Sequence, residues 1–398
     1  MAGLKLHRFQ VPQWPFRRSK RDLIKRDLES SFVTNDPYWP RMWYLHDLIN
    51  TDSPQKLDLN VIPVWQQGIT GKNVSISILD DGVQADHPDL ARNFDPHASW
   101  DLNDDDPDPT PRFNKDNHHG TRCAGEVSMV ANNSKCGIGI AYDSKIGGVR
   151  ILDGNITDRL EGEALQINIS HVDIISASWG PTDNGRTMEG PGPFSSGDDC
   201  NCDGYTSSIY TITVASTSTG LNSPYYNEMC PSVHTTTFSS GFHDMVLTTD
   251  IKDNCTTHHS GTSAAAPMAA GVFALVLEAN PSLTWRDMQH LTIWTSEYAP
   301  LKDNKGWQKN GRGLYTNHKF GFGLMNAHNM VQYAKTWKNV PKQQKCTTTY
   351  PDFKILDLDP EKNNRIIFGT DACRGKASEI GVLEHIQVTL YERKSECA

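Results

Sequence analysis

The segment His258-His259-Ser260-Gly261-Thr262-Ser263-Ala264-Ala265-Ala266-Pro267 leads directly into the apolar run Met268 to Ala279, which ends at Asn280-Pro281. Small residues, a proline in the first turn, and then Val272, Leu275 and Val276 at helical spacing predict a buried helix opening at Ser263. Such a helix needs a core around it. A chain of 398 residues is long enough to supply one, more readily as two domains than as one. A serine at this opening lies beside unpaired backbone N–H groups and the positive end of the helix dipole, a place suited to an oxygen that carries charge during acyl transfer. Taken alone, Ser263 reads more readily as an N-capping serine before an Ala-rich core helix.

Two upstream segments change its meaning. Val74 to Leu79 is rich in β-branched residues, reads as a strand buried on both faces, and runs into Asp80-Asp81-Gly82. Open α/β sheets place their chemistry at the C-terminal ends of parallel strands, although Asp-Gly is also a common turn. In Asn117-His118-His119-Gly120-Thr121-Arg122-Cys123-Ala124-Gly125-Glu126-Val127, the small residues predict a helix pressed closely on its neighbours, with the His119 imidazole at its start. A lone histidine is more often a hydrogen-bonded structural residue. Together the three stand in the order Asp, His, Ser, which is the order of the subtilisin triad and not that of chymotrypsin or the α/β-hydrolases.

The formal net charge of −9 argues against a nucleic-acid partner and fits a basic ligand where the acids gather, at Asp101 to Asp108 and Asp198-Asp199. The first of these clusters reads equally as a solvated face. Nine cysteines without a repeated metal spacing suggest disulfides and an oxidising compartment. Glycosylation triplets at Asn73, Asn132, Asn155, Asn168 and Asn254 point the same way. No segment reads as long and apolar enough to span a membrane, and the first residues lack the apolar stretch of a signal peptide. Residues 1–21 are basic and end in Arg17-Arg18-Ser19-Lys20-Arg21, a flexible stretch with a predicted cleavage point after Arg21.

Beyond these features, the chain resembles the subtilisin/kexin-like proprotein convertases. The matching runs are Leu57 to Trp65, Ile78 to Gly82, His119 to Val127, Ser176 to Pro181, Cys200 to Tyr205, Leu283 to His290 and Ile293 to Tyr298. The resemblance implies an α/β fold, a subtilisin-like three-layer domain with a mostly parallel sheet over residues 22–340, followed by a partial β-sandwich P domain over 341–398. Arg365 to Phe368 and His385 to Tyr391 would be strands of that sandwich. It implies a serine endopeptidase, a monomer of the secretory pathway, trans-Golgi and secretory granules, cutting prohormones after paired basic residues, with its own propeptide as inhibitor and folding aid.

In that reading Ser263 is the nucleophile, His119 takes its proton and Asp80 orients the imidazole. Asp183 and Asp203 would hold the arginine before the scissile bond and Asp81 and Asp116 the next basic residue. Glu161, Glu189 and Tyr205 would act further out, with Ser178 and Trp179 also lining the substrate cleft. Calcium is implied at a site of Asp36, Asp89 and Asn133 with main-chain oxygens of Val130, Lys135 and Gly137, and at a second of Asp183, Asp198 and Glu228. The implied disulfides are Cys136–Cys255, Cys200–Cys230 and Cys346–Cys373, leaving Cys123, Cys202 and Cys397.

The chain also departs from that family. Between Glu189-Gly190-Pro191 and Asp198-Asp199-Cys200 the family carries several tens of further residues, including a core strand and an asparagine that donates to the oxyanion; here Gly192 to Gly197 joins the two. Most of the propeptide and the end of the sandwich are likewise missing. The expectation is a fragment or splice form of a convertase with impaired catalysis, able to bind basic peptides or other convertases without cutting.

Overall fold

The structure, a computed structural model, describes residues 32–46, 57–179, 200–241, 244–347, 373–376, 378–380 and 383–387. The chain divides into two compact units, Arg18–Asn339 and a smaller one of Met1–Arg17 with Val340–Ala398.

In the larger unit the elements are α1 (Ile62–Trp65), β1 (Ser75–Asp80), β2 (Trp100–Asp101), α2 (His119–Ser128), β3 (Lys145–Arg150), α3 (Asp158–Ala164) and β4 (Ile174–Ala177). Then come β5 (Thr213–Thr217), β6 (Val233–Phe238), β7 (Val246–Asp250), β8 (Asn254–His259), α4 (Thr262–Ala279), α5 (Trp285–Thr295), α6 (Tyr298–Leu301) and a short hairpin, β9 (Gln308–Lys309) with β10 (Tyr315–Thr316). Helix α7 (Ala327–Ala334) closes the unit.

Strand β1 is buried along its whole length, as its β-branched composition predicts, and lies one residue later than expected, so that it ends on Asp80 itself. It pairs in parallel with β3 on one side and β4 on the other, and β2 extends the sheet in the order β2-β3-β1-β4. A second parallel pair, β5 with β6, stands as its own sheet, and β7 and β8 form an antiparallel pair. Among the described residues β4 and β5 are not hydrogen-bonded to each other, and 180–199 between them lies outside those residues. Helix α4 packs against β4, β5 and β6 and so spans both parallel sheets.

Helix α4 runs from Thr262 to Ala279, with Gly261 as N-cap at φ +84°, a backbone conformation that favours glycine. Two expectations are corrected here. Ser263 is the second helical residue, and Pro267 lies in the second turn, because the helix starts one residue early. By length, 18 residues, and mean hydropathy, 1.5, α4 is also apolar enough to cross a membrane, although the sequence read as having no such segment. Its residues Ala264, Met268, Val272, Leu275 and Val276 are buried in the main core with Ile78, Val127, Ile140 and Leu291, so here it serves as the central core helix.

Helix α2 lies against β1, β3, β7 and α4 at distances only glycine permits. A Cβ on Gly120 would stand 2.4 Å from the Gly82 carbonyl oxygen, and one on Gly125 would stand 2.2 Å from Thr249 Oγ1 and 2.8 Å from Thr249 N. The close approach read from the small residues of this segment is therefore physical.

The disulfides Cys136–Cys255, Cys200–Cys230 and Cys346–Cys373 are formed. The last belongs to the smaller unit. Of its two expected strands, Arg365 to Phe368 lies outside the described residues. In the other, residues 385–387 form no strand because they have no ladder partner among the described residues.

Candidate active site

Asp80 is fully buried at the C-terminal end of β1, and His119 opens α2 directly above it. Nδ1 of His119 lies 2.8 Å from Asp80 Oδ2. Burial works against a charged imidazole here, but the Asp80 carboxylate outweighs it and holds the His119 pKa well above its ordinary value. That bond also fixes the tautomer, leaving Nε2 as the outward nitrogen.

Ser263 reaches the same rim from the start of α4. Its hydroxyl donates to the Ser178 carbonyl oxygen at the end of β4, 3.2 Å away, and not to His119. One side chain ties the two elements together: Cys123 Sγ stands 3.9 Å from His119 Nδ1 and 3.7 Å from the Ser263 carbonyl oxygen. Asp80, His119 and Ser263, read from three distant segments, thus meet around one thiol.

Sequence reasoning left Cys123 as a surplus thiol and did not single out Glu126 or His259. All three are buried at this rim. The signal was available for two of them, since His119, Cys123 and Glu126 are spaced to share one face of a helix. His259, at the end of β8, required the fold.

Asp81 turns inward. It accepts from the backbone N–H groups of His119, 2.8 Å, and Gly120, 2.7 Å, so it closes the N-terminus of α2. Burial, then the neighbouring Asp80 charge, raises its pKa to about 7. Asp116 is exposed in the loop before α2. Glu161 on α3 accepts from the Tyr205 hydroxyl at 3.4 Å, and Tyr205 stacks edge-on against Trp179 with ring centroids 5.1 Å apart. Asp203 accepts from the N–H groups of Tyr205 and Thr206 and holds that loop in shape. Ser178 Oγ and Trp179 Nε1 are buried and have no hydrogen-bond partner among the described residues. Asp183, Glu189 and Asp198 lie outside the described residues, as does the short joint Gly192 to Gly197. Glu228 is half-buried.

The acidic run 101–108 is not wholly a solvated face. Asp101 is buried and paired with the buried Arg150, which also binds Asp153 and, at 2.8 Å, Asp104. A cation supplied by β3 converts the start of that run into core structure.

Around 36, 89 and 133 the structure gathers oxygen. Asp36 accepts from the N–H groups of Asn132, Asn133 and Ser134, and Asp89 accepts from Asn133 Nδ2 at 2.7 Å and from the Gly137 N–H at 3.4 Å. Asp89 is fully buried, and its pKa is raised to about 7, chiefly by burial, with the Asp36 charge adding to it. Among the described residues no Lys or Arg pairs with either acid. Two buried carboxylates without a counter-charge, in a loop rich in carbonyls, suit a hard oxygen-seeking cation.

The chain is 45% identical to furin of Bos taurus over 417 residues, covering 96% of this chain and 50% of that protein. It is 47% identical to Furin-like protease 2 of Drosophila melanogaster over 407 residues, covering 92% of this chain and 24% of that one. The chain thus spans half or less of the length of these relatives. Among solved structures it is similar to a serine protease of Aeromonas sobria, with TM-score 0.69, 19% identity, and coverage of 78% of this chain and 69% of that one, which shows the fold. The profile of the subtilase family matches residues 71–220 and 199–323, more than half of the chain and including the segments that bring Asp80, His119 and Ser263 together. This chain belongs to the subtilase family.

Proposed function

We propose that this chain carries the catalytic domain of a calcium-dependent serine endopeptidase that cuts proproteins after paired basic residues in the secretory pathway. The observation that carries the reading is the 2.8 Å bond between Asp80 and His119 at the rim where the N-terminus of α4 presents Ser263. Asp80 holds the Nδ1 proton, so Nε2 is the nitrogen that can accept from a hydroxyl. Rotation of Ser263 Oγ away from the Ser178 carbonyl would offer its proton to that nitrogen as the oxygen attacks a peptide carbonyl. The Ser263 N–H, in the first turn of α4, lacks an acceptor within the helix and would serve the developing oxyanion as a donor.

The acids and Tyr205 near the rim would receive guanidinium and ammonium groups, with Asp203 and Glu161 beside Trp179 and Tyr205, and Asp183, Asp81, Asp116 and Glu189 completing the set. A calcium ion held by Asp36, Asp89, Asn133 and the carbonyls of Val130, Lys135 and Gly137 would neutralise a buried acidic pair, and a second site would use Asp183, Asp198 and Glu228. Residues 1–21 would belong to a propeptide.

A second reading is favoured by two observations: the Ser263 hydroxyl bonds Ser178, and among the described residues β4 and β5 are not hydrogen-bonded to each other. In it the chain binds basic peptides or another convertase without cutting. A fluorogenic Arg-Ser-Lys-Arg peptide, incubated with calcium and either the chain or its Ser263→Ala variant, separates the two. Release by the chain alone supports the enzyme. Equal rates in both remove the triad, and binding by titration with no product supports the second reading.

A further inference from the structure

Behind the Asp80–His119 pair lies a cluster that the proposed chemistry does not use. His119, Cys123 and Glu126 line one face of α2, and His259 meets them from the end of β8, its ring 5.3 Å from that of His119. Cys123 Sγ is 3.8 Å from His259 Nε2 and 3.9 Å from His119 Nδ1, and the ligand atoms of these three residues all lie within 4.8 Å of one another. Glu126 Oε1 is 3.7 Å from His259 Nε2, yet both Glu126 oxygens are fully buried with no hydrogen-bond partner among the described residues. A buried carboxylate beside an imidazole that itself faces the thiol is costly unless something positive joins them.

We propose that Cys123, His259, Glu126 and Nδ1 of His119 form a site for one thiophilic divalent cation of the zinc class, and that its binding breaks the bond between His119 and Asp80. A tetrahedral zinc ion places sulfur and nitrogen ligands about 3.5 Å apart, so the 3.9 and 3.8 Å from Cys123 Sγ to the two imidazoles close onto the ion with shifts of a few tenths of an ångström, and the two imidazole nitrogens, within 4.8 Å of each other, draw together by side-chain rotation. One sulfur, two imidazole nitrogens and a carboxylate oxygen match a borderline-soft ion and do not match calcium. On binding, the metal–sulfur bond forms, the S–H bond breaks and the proton passes to water. The metal also takes the Nδ1 lone pair, so the Nδ1 proton passes to water, the ring is left as the neutral tautomer with its one proton on Nε2, and Asp80 loses its donor. The site is independent of proteolysis, and its consequence for cleavage rests on the endopeptidase reading above.

The test adds cobalt(II), as a spectroscopic substitute for zinc, to the full chain in saturating calcium. The expected result is an intense tetrahedral d–d spectrum with a thiolate-to-cobalt charge-transfer band, displaced by zinc. Cys123→Ser should abolish the charge-transfer band, and Glu126→Gln, which keeps the shape, should weaken binding by roughly tenfold or more. A weak octahedral spectrum in the folded wild-type chain, or a charge-transfer band that survives in Cys123→Ser, overturns the site. The switch is read by NMR, without any substrate: the downfield proton of the His119–Asp80 bond should vanish as zinc is added, and its persistence at saturation overturns the switch. Cobalt bands and loss of that proton in a chain that cuts nothing even without zinc would uphold this site while counting against the endopeptidase reading.

Discussion

Pro267 stands four residues after Ser263 in helix α4 and has no N–H to give to the Ser263 carbonyl oxygen, which faces the Cys123 thiol at 3.7 Å instead. A proline inside a helix forfeits that bond and crowds the carbonyl four residues back, at a cost of about 3 kcal/mol relative to alanine. The cost falls on the turn that carries the proposed nucleophile. Pro267→Ala should therefore raise stability, by about 1–2 kcal/mol once lost packing is discounted, while tightening the turn and lowering peptide turnover. Thermal melting in calcium and steady-state cleavage measure the two effects; a less stable but equally active variant would contradict the account.

The glycines of α2 set how near His119 comes to Asp80. A Cβ at 120 would press on the Gly82 carbonyl and on Asp80 Cβ, 2.8 Å away, and one at 125 on the threonines of β7. These neighbours are backbone and packed side chains that cannot swing aside. Gly120→Ala and Gly125→Ala should each cost about 1–3 kcal/mol by overpacking, with Gly120→Ala also lengthening the Asp80–His119 contact. Melting temperatures within a degree of wild type would remove the close-packing argument.

The Asp80–His119 pair also sets a pH dependence. Burial opposes the imidazolium, the Asp80 charge favours it, and the net result is a folded pKa well above 6.5. A base must be neutral to accept a proton, so cleavage should rise with pH through that raised value. The stabilisation from the pair is present in full below the unfolded pKa and is lost as pH rises through the folded one. Asp80→Asn should move the acid limb of the rate profile to lower pH, flatten the stability slope and cut turnover roughly ten-thousandfold. An unshifted limb would place the titration on another group.

How far the sequence carried these conclusions depended on whether the cause was local. The β-branched run ending at Asp80, the apolar run after Ser263 and the glycines around His119 each encode their environment within a few residues. Where the cause lies across the fold, the pattern misled or was silent. Asp101 looked solvated because its partner Arg150 comes from a different strand. Helix α4 passes for a membrane span by composition, and only its packing between two sheets and neighbouring helices identifies it as core. Cys123 seemed surplus because His259 reaches it from β8, 136 residues along the chain.

Calcium dependence rests on the loop that joins Asp36, Asp89 and Asn133. Without a cation, the Asp89 carboxyl is raised from 3.8 to about 7 by burial, with the Asp36 charge adding to it. A raised carboxylate favours the fold while it is protonated, so that contribution is full below about pH 4 and is lost as pH climbs through 7. Calcium replaces the missing positive charge, and at a hundred times its Kd it should add about 2.7 kcal/mol. The gain should be larger at pH 8 than at pH 5, where protons compete for Asp89. Asp89→Asn keeps the shape but removes the charge, so it should lose most of the calcium-induced rise in melting temperature and flatten the calcium-free decline between pH 4 and 7. Melting curves of both proteins, with calcium and with chelator, supply the comparison; a full calcium response in Asp89→Asn would show that the ion binds elsewhere.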